Sequence, residues 1–145
     1  MSLKPVPYRT QEEIETLVRA LEKGSLSPAE FNHHAHMTVA LWYLMHLPYP
    51  NAVAHLRAQI RGFAARHHQS QLYNETITLF WMKLLRHLLN RAKPVTSLAD
   101  TVYQILVAWG SMRFVFRHYS KELVFSEKAK QAWVEPDLRP LGFEI

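Results

Sequence analysis

Apolar side chains recur every three or four residues along most of this chain, each series starting behind a polar residue that can cap a helix. The first series starts with Thr10 and Glu13, a capping box in which the hydroxyl and the carboxylate satisfy backbone N–H groups at a helix start. It ends at Gly24, a natural terminator. Its apolar positions are Ile14, Leu17, Val18 and Leu21. This spacing predicts helix, and no comparable strand-like alternation occurs.

The second series carries histidines on its apolar side. A second capping box, Ser27 with Glu30, predicts its start, although Asn32 offers an alternative start after a break. Pro48 predicts its end. The stripe itself reads His33, His36, Met37, Ala40, Tyr43, Leu44 and Leu47. It therefore opens with imidazoles and continues as an ordinary core-facing helix.

Three more helices are predicted downstream. Asn51 is expected to cap a third, and a fourth starts near Asn74 or Glu75, where the amphipathic pattern is clearest. The pair Lys93-Pro94 should break the fourth helix. Ser97 is expected to cap a fifth.

The last third of the chain is harder to assign. The stretch 111–119 is rich in aromatic and β-branched residues, and helix is favoured because its apolar residues share one face. A short helix should open at Ser126, and an extended tail should follow from Val134. The fold predicted for residues 1–145 is a compact all-α single domain of five to seven helices with an extended C-terminal tail.

Composition excludes several functional classes. The 145 residues include no cysteine, which rules out disulfides, thiolate metal sites and cysteine nucleophiles. The four glycines are too dispersed for a phosphate-binding loop. No apolar run approaches the length of a membrane span, and the N-terminal residues lack the pattern of a signal peptide. We therefore expect a cytoplasmic protein with no membrane partner.

The net charge of +5 raises the question of a polyanionic partner. Arg57 and Arg61 stack one helical turn apart, and Arg113, Arg117 and Lys121 continue that spacing later in the chain. Such arrays can grip phosphates, but they are more typical of the solvated face of an amphipathic helix. Nucleic acid is therefore not expected as a partner.

The histidine-headed helix supplies the main candidate for a site. His33 and His36 lie three residues apart and can converge on one point, and Glu75 is the best donor of a third ligand. Imidazoles with a carboxylate suit zinc, iron, nickel or manganese. The alternative third ligands are Glu30, His67 and His68. The same residues also fit a structural interpretation, with histidines hydrogen-bonded in the core and carboxylates serving helix starts.

Three segments carry a family resemblance. The segment 31–44 resembles the pattern aromatic-x-H-R-x-H-hydrophobic-x-x-A-x-x-Y-L, and 73–78 is similar to Y-H-E-T-[IL]-T. The segment 123–126, followed by W-V-E-P-D-L at 133–138, is similar to a closing signature. Together they resemble a family of small, uncharacterised, all-helical bacterial proteins.

The resemblance implies that His33, His36 and Glu75 occupy polar positions of the family motifs. Two departures stand beside them, because His34 replaces the arginine of the first pattern and Asn74 replaces the histidine of the second. Asn74 can still accept a hydrogen bond, but an amide binds transition metals poorly. The departure at Asn74 weakens the case for a metal in this chain.

Two hypotheses of function follow. In the first, His33, His36 and Glu75 hold a divalent metal that activates water for hydrolysis, or His36 with Glu75 acts as a metal-free general base. The other pocket residues predicted are Tyr73, Asn74, Thr78, Trp42 and Trp81. In the second, the same cluster is a structural hydrogen-bond network in a non-catalytic module that binds a small molecule or a partner. The tail around Pro136 and Pro140 would then dock on its own domain or on a second subunit.

Overall fold

The computed structural model describes residues 8–92 and 97–143, and within them it contains eight α-helices and no strand. The helices are α1 (Gln11–Lys23), α2 (His33–His46), α3 (Tyr49–Arg66), α4 (Glu75–Arg91), α5 (Leu98–Trp109), α6 (Arg113–Phe116), α7 (Lys121–Val124) and α8 (Glu127–Gln131). A short 3-10 turn, Ser70–Leu72, precedes α4. The all-α prediction is confirmed. The number of helices exceeds the five to seven expected, because the region after α5 divides into three single-turn helices.

The predicted capping box of α1 is present. The Thr10 hydroxyl accepts from the backbone N–H of Glu13, and the Glu13 carboxylate accepts in return from the backbone N–H of Thr10, each at 3.1 Å. Gly24 ends the helix with φ of +78°, a left-handed conformation that glycine adopts without strain. The guanidinium of Arg66 covers this turn, 3.1 Å from where a Cβ would lie.

Of the two starts predicted for α2, the one at Ser27 is wrong and the one at Asn32 is correct. Ser27 and Glu30 do form their reciprocal hydrogen bonds, but these bonds close an isolated turn. The chain then bends at Phe31, and the helix begins after that bend. Asn32 is the true cap, with its side chain accepting from the backbone N–H of Ala35 at 3.0 Å. The break places the Phe31 ring inside the core against Phe63, with ring centroids 4.8 Å apart.

The start of α3 was predicted three residues too late. Asn51 does not cap this helix, because it lies within the first turn and is exposed. The helix begins at Tyr49 behind Pro48, and Pro50 occupies its second position. Prolines are tolerated there because the first turn has no intrahelical acceptor for their missing N–H groups.

The remaining caps follow the sequence closely. Asn74 caps α4 and Ser97 caps α5, each accepting from a backbone N–H three residues later. The break predicted at Lys93-Pro94 lies outside the described residues. Of the stretch 111–119, only Arg113–Phe116 is helical. The short helix behind Ser126 is α8.

The extended tail, residues 132–143, lies across α4, and we call it the C-terminal strap. The Thr76 hydroxyl of α4 donates to the carbonyl of Ala132 at 2.9 Å and accepts from the N–H of Val134 at 3.2 Å. Farther along, the N–H of Leu138 donates to the carbonyl of His118 at 2.9 Å. The strap therefore docks on its own chain, which is one of the two arrangements predicted for the tail.

The second helix lies at the centre of the molecule and packs against α1, α3, α4 and α5. Most of its circumference is therefore buried, including Thr38 and Val39, which lie outside the predicted apolar stripe. Arrangement around α2 brings the start of that helix beside α4. No helix in the described part of the chain combines the length and apolar character needed to span a bilayer.

Candidate functional site

A small cavity of about 80 Å³ lies between α2, α3 and α4, next to the start of α2. Its lining residues are His33, His36, Met37, Ala40, Leu56, Ile60, Ile77, Thr78, Trp81 and Met112. Four of the predicted site residues are among them: His33, His36, Thr78 and Trp81. The cavity wall is otherwise apolar, so these four side chains provide its chemistry.

Two nitrogen atoms of this lining are buried and have no hydrogen-bond partner among residues 8–92 and 97–143. They are Nε2 of His33 and Nε1 of Trp81, and the two ring centroids lie 5.1 Å apart. An unpaired buried polar group costs roughly 1–3 kcal/mol. Two such groups on neighbouring rings in one cavity are unusual in a packed core, where nearly all buried polar atoms are paired.

Both histidines of the cavity are held uncharged. Burial lowers the pKa of His33 to about 4, and the neighbouring His34 contributes to the shift. Burial also lowers the pKa of His36 to about 4, with a smaller contribution from His33. The His36 ring stacks on Phe31 with centroids 3.8 Å apart. Near neutral pH the cavity therefore presents neutral imidazoles.

Glu75 is engaged elsewhere. Both of its carboxylate oxygens accept hydrogen bonds from the Arg57 guanidinium, at 3.0 and 2.5 Å, and one also accepts from the Tyr73 hydroxyl at 2.6 Å. Burial alone would raise the pKa of Glu75, but the bonds from Arg57 and Tyr73 outweigh it and lower that pKa. The carboxylate is thus an ionised partner of arginine.

The predicted metal set is not assembled. Across residues 8–92 and 97–143, no three His, Cys, Asp or Glu side chains lie close enough to share a metal ion. His33 and His36 line the cavity, whereas the Glu75 carboxylate bonds to Arg57 and Tyr73. The same bonds separate Glu75 from the general-base role predicted beside His36, because a carboxylate paired with arginine is a weak base.

The alternative third ligands also have other surroundings. Glu30 accepts from the backbone N–H of Ser27 at 2.9 Å and is exposed. His67 lies at the end of α3 with its ring centroid 4.4 Å from that of Phe63. His68 is exposed and has a positive φ of 57°.

Asn74 has a structural role and does not line the cavity. Its side-chain oxygen caps α4 by accepting from the N–H of Ile77 at 2.9 Å, and its side-chain nitrogen donates to the carbonyl of Val124 at 2.6 Å. Its own carbonyl accepts from the Thr78 hydroxyl at 2.9 Å. The polar groups of Asn74 are thereby engaged in holding α4 against α7.

Two other predicted pocket residues, Trp42 and Tyr73, are not part of the cavity lining. Trp42 stacks on His46 one turn later in α2, with ring centroids 3.9 Å apart. Tyr73 is half-buried beneath the guanidinium of Arg61, which lies 4.7 Å from its ring centroid. Tyr73 therefore belongs with the carboxylate of Glu75 and two arginines of α3.

The residue that sequence reasoning missed is Arg57, the partner of Glu75. The spacing of Arg57 and Arg61 on α3 was noted, but a solvated face was the interpretation. Burial of the carboxylate required a cation, and the first turn of α4 faces α3. A search for a partner for Glu75 among the basic residues of the preceding helix would have found it.

Comparison with known proteins adds no assignment. No protein-family model, curated protein or solved structure matches this chain significantly. The motif resemblance described above therefore stays a prediction, and the site is interpreted from its own geometry.

Proposed function

We propose that this protein is a non-catalytic binding protein for a small, uncharged, polar molecule that occupies the cavity between α2, α3 and α4. The observation that carries the proposal is the pair of unpartnered buried nitrogens, Nε2 of His33 and Nε1 of Trp81, in one cavity wall. A ligand that bonds to both removes the energetic penalty of leaving them unpaired.

The lining constrains the ligand's polar groups. The indole N–H of Trp81 is a donor only, so the ligand must offer an oxygen or nitrogen acceptor. Nε2 of the neutral His33 accepts a hydrogen bond when the ring proton lies on Nδ1, and the ligand then supplies a donor. A molecule with one acceptor and one donor a few bonds apart, such as a primary amide, satisfies these demands.

Volume and charge constrain it further. A cavity of about 80 Å³ is roughly half the size of an engineered cavity that accepts benzene, which limits the ligand to about three to five heavy atoms. None of the described residues that line the cavity is charged, because its two histidines are neutral at physiological pH. A buried ion would therefore lack a counter-charge and be excluded.

Acetamide and acetate provide a matched pair of probes, because they share a shape and differ in charge. The chain has four tryptophans, so a ¹⁵N-labelled sample gives four indole signals, and Trp81→Phe identifies that of Trp81. Acetamide should shift the Trp81 signal in a saturable way, whereas acetate should not. The indole of Trp133, which donates to the Glu135 carboxylate, should respond to neither.

His33→Leu is the discriminating variant, because it conserves volume and removes the imidazole nitrogens. It should weaken acetamide binding by about tenfold, the loss of one hydrogen bond in a buried site. The proposal fails if His33→Leu binds acetamide as the parent does, if acetate binds equally well, or if neither probe moves the Trp81 signal. Stoichiometric zinc that disappears in His33→Leu and His36→Leu would also overturn it, in favour of a metal centre.

A further inference from the structure

A second and larger concavity lies on a neighbouring face of α4 and shares no lining residue with the His33 cavity. It is an open groove of about 760 Å³ between α4, α5, α6 and the C-terminal strap. Phe80, Leu84, Leu88 and Arg91 present one face of α4 to it, whereas Ile77, Thr78 and Trp81 present another face to the small cavity. A volume of several hundred cubic ångströms is typical of sites for drug-sized molecules.

Basic side chains surround this groove. None of the described residues that line it is an aspartate or a glutamate. The basic residues of the lining are His87, Arg91, Arg117, His118 and Arg139. The three guanidinium groups carry permanent charge and come from three separate segments, α4, the turn after α6 and the C-terminal strap. Charges of one sign focused in a concave wall attract an anion.

The floor between these charges is aromatic. Phe80 and Phe114 are buried, and Phe143 of the strap lies edge-on to Phe80 with ring centroids 5.6 Å apart. Trp109 packs against Phe114 with centroids 4.8 Å apart. The groove therefore offers ring faces and edges to a flat apolar group as well as cations to a negative one.

The charged wall is held in place by the fold. The guanidinium of Arg117 lies 4.8 Å from the centroid of the Phe114 ring, which fixes its position at the groove edge. Nδ1 of His118 is 2.9 Å from the carbonyl oxygen of Arg139, and the N–H of Leu138 donates to the carbonyl of His118. These contacts fasten the strap and bring the backbone of Arg139 next to His118, and Arg117 and Arg139 both line the groove.

We infer that this groove binds an organic anion of about one to two aromatic rings, whose carboxylate, sulfonate or phosphate is received by Arg117 and Arg139. The arginines supply charge-assisted hydrogen bonds to the acidic group. The aromatic floor receives the ring system. This site is separate from the His33 cavity, so the two proposals succeed or fail independently.

Two fluorescent probes with one ring skeleton test the inference. Anilinonaphthalene sulfonate carries the negative charge, and phenylnaphthylamine is its neutral counterpart. In the parent protein both are titrated at low ionic strength. The double variant Arg117→Gln, Arg139→Gln should weaken the sulfonate by about tenfold or more, through loss of charge-assisted bonds, and change the neutral probe by less than about twofold.

A matched control removes the same charge elsewhere. Arg19→Gln with Lys128→Gln alters two exposed residues that do not line the groove, and both probes should bind this variant as they bind the parent. Unfolding midpoints confirm that both double variants remain folded. The inference is overturned if the groove variant weakens both probes equally, if it weakens neither, or if the control variant weakens the sulfonate as much.

Discussion

At Glu75, three neighbouring side chains determine how one carboxylate behaves. Arg57 contributes a two-point ion pair, Tyr73 a hydroxyl donor, and Arg61 a further positive charge. Removing either partner would leave the charge of the other poorly compensated. The ion pair therefore holds α3 to the start of α4. The carboxylate is a structural group whose chemistry is set by its neighbours rather than by its position in a motif.

The two cavity histidines predict a pH dependence of stability. Their pKa of about 4 in the folded protein lies below the ordinary value of 6.5, so between these limits the unfolded chain binds protons that the folded protein does not. The stabilisation that depends on neutral histidines should be fully present above pH 6.5. The free energy of unfolding should then fall as the pH decreases toward 4. The loss is about 3 kcal/mol for each histidine across that window. Urea unfolding at a series of pH values measures it.

Variants separate this effect from that of other titrating groups. His33→Leu and His36→Leu should each flatten the pH dependence between 4 and 6.5, because the protonation penalty disappears with the imidazole. His55→Gln, at an exposed position of α3 outside the cavity, provides the comparison variant. A parent and a His33→Leu variant with the same slope would show that His33 is not buried as a neutral group.

At the scale of the helices, the Asn74 side chain makes two separate contacts at the start of α4: its oxygen caps the helix and its nitrogen donates to Val124. Asn74→Ser keeps a capping oxygen but loses the donor to Val124, and should lower the free energy of unfolding by about 1–3 kcal/mol. Asn74→Ala also loses the cap and should cost about 1 kcal/mol more. Denaturant unfolding of the two variants measures both contributions.

Asn51 provides the control at this scale. It was expected to cap α3, yet it lies exposed inside the first turn. Asn51→Ala should therefore change the free energy of unfolding by no more than about 0.5 kcal/mol. A loss as large as that of Asn74→Ala would mean that Asn51 is the working cap after all.

Local rules predicted some helix starts and failed at others for identifiable reasons. Thr10, Asn74 and Ser97 cap helices as their sequences indicate. Ser27 and Glu30 form the same local bonds without a helix, because burial of Phe31 decides where the chain turns, and that is a tertiary effect. Capping rules see a few neighbouring residues, whereas core packing is decided by contacts far along the chain.

The candidate site shows the same division. The spacing of His33 and His36 placed both on one face, and both line the cavity. Convergence of Glu75 on them was inferred from its position at the start of the clearest amphipathic helix. The competing guanidinium of Arg57 could not be located without the packing of α3 on α4. Periodicity shows which residues share a face but does not show which partner a charged group selects.

At the scale of the whole molecule, the C-terminal strap completes the fold through Thr76. Thr76→Val keeps the shape of the side chain and leaves the Ala132 carbonyl and the Val134 N–H without their partner. The free energy of unfolding should fall by about 1–3 kcal/mol. Amide hydrogen exchange at Val134 should accelerate by a corresponding factor.

Two substitutions define what this loss means. Thr76→Ser retains the hydroxyl and should retain most of the protection of Val134. Thr16→Val alters an exposed hydroxyl that bonds within α1 and should have little effect on either measurement. If Thr76→Val leaves exchange at Val134 unchanged, the strap is held by its other contacts.

The attachment of the strap also has a consequence in time. Val134 is synthesised 58 residues after Thr76, the residue that receives it. At ordinary rates of translation the interval is roughly 3 to 12 seconds, far longer than a helix needs to form. During that interval α4 exists on the ribosome with this face bare. Chaperones that bind exposed apolar helices can bind α4 during this interval, until the strap covers it.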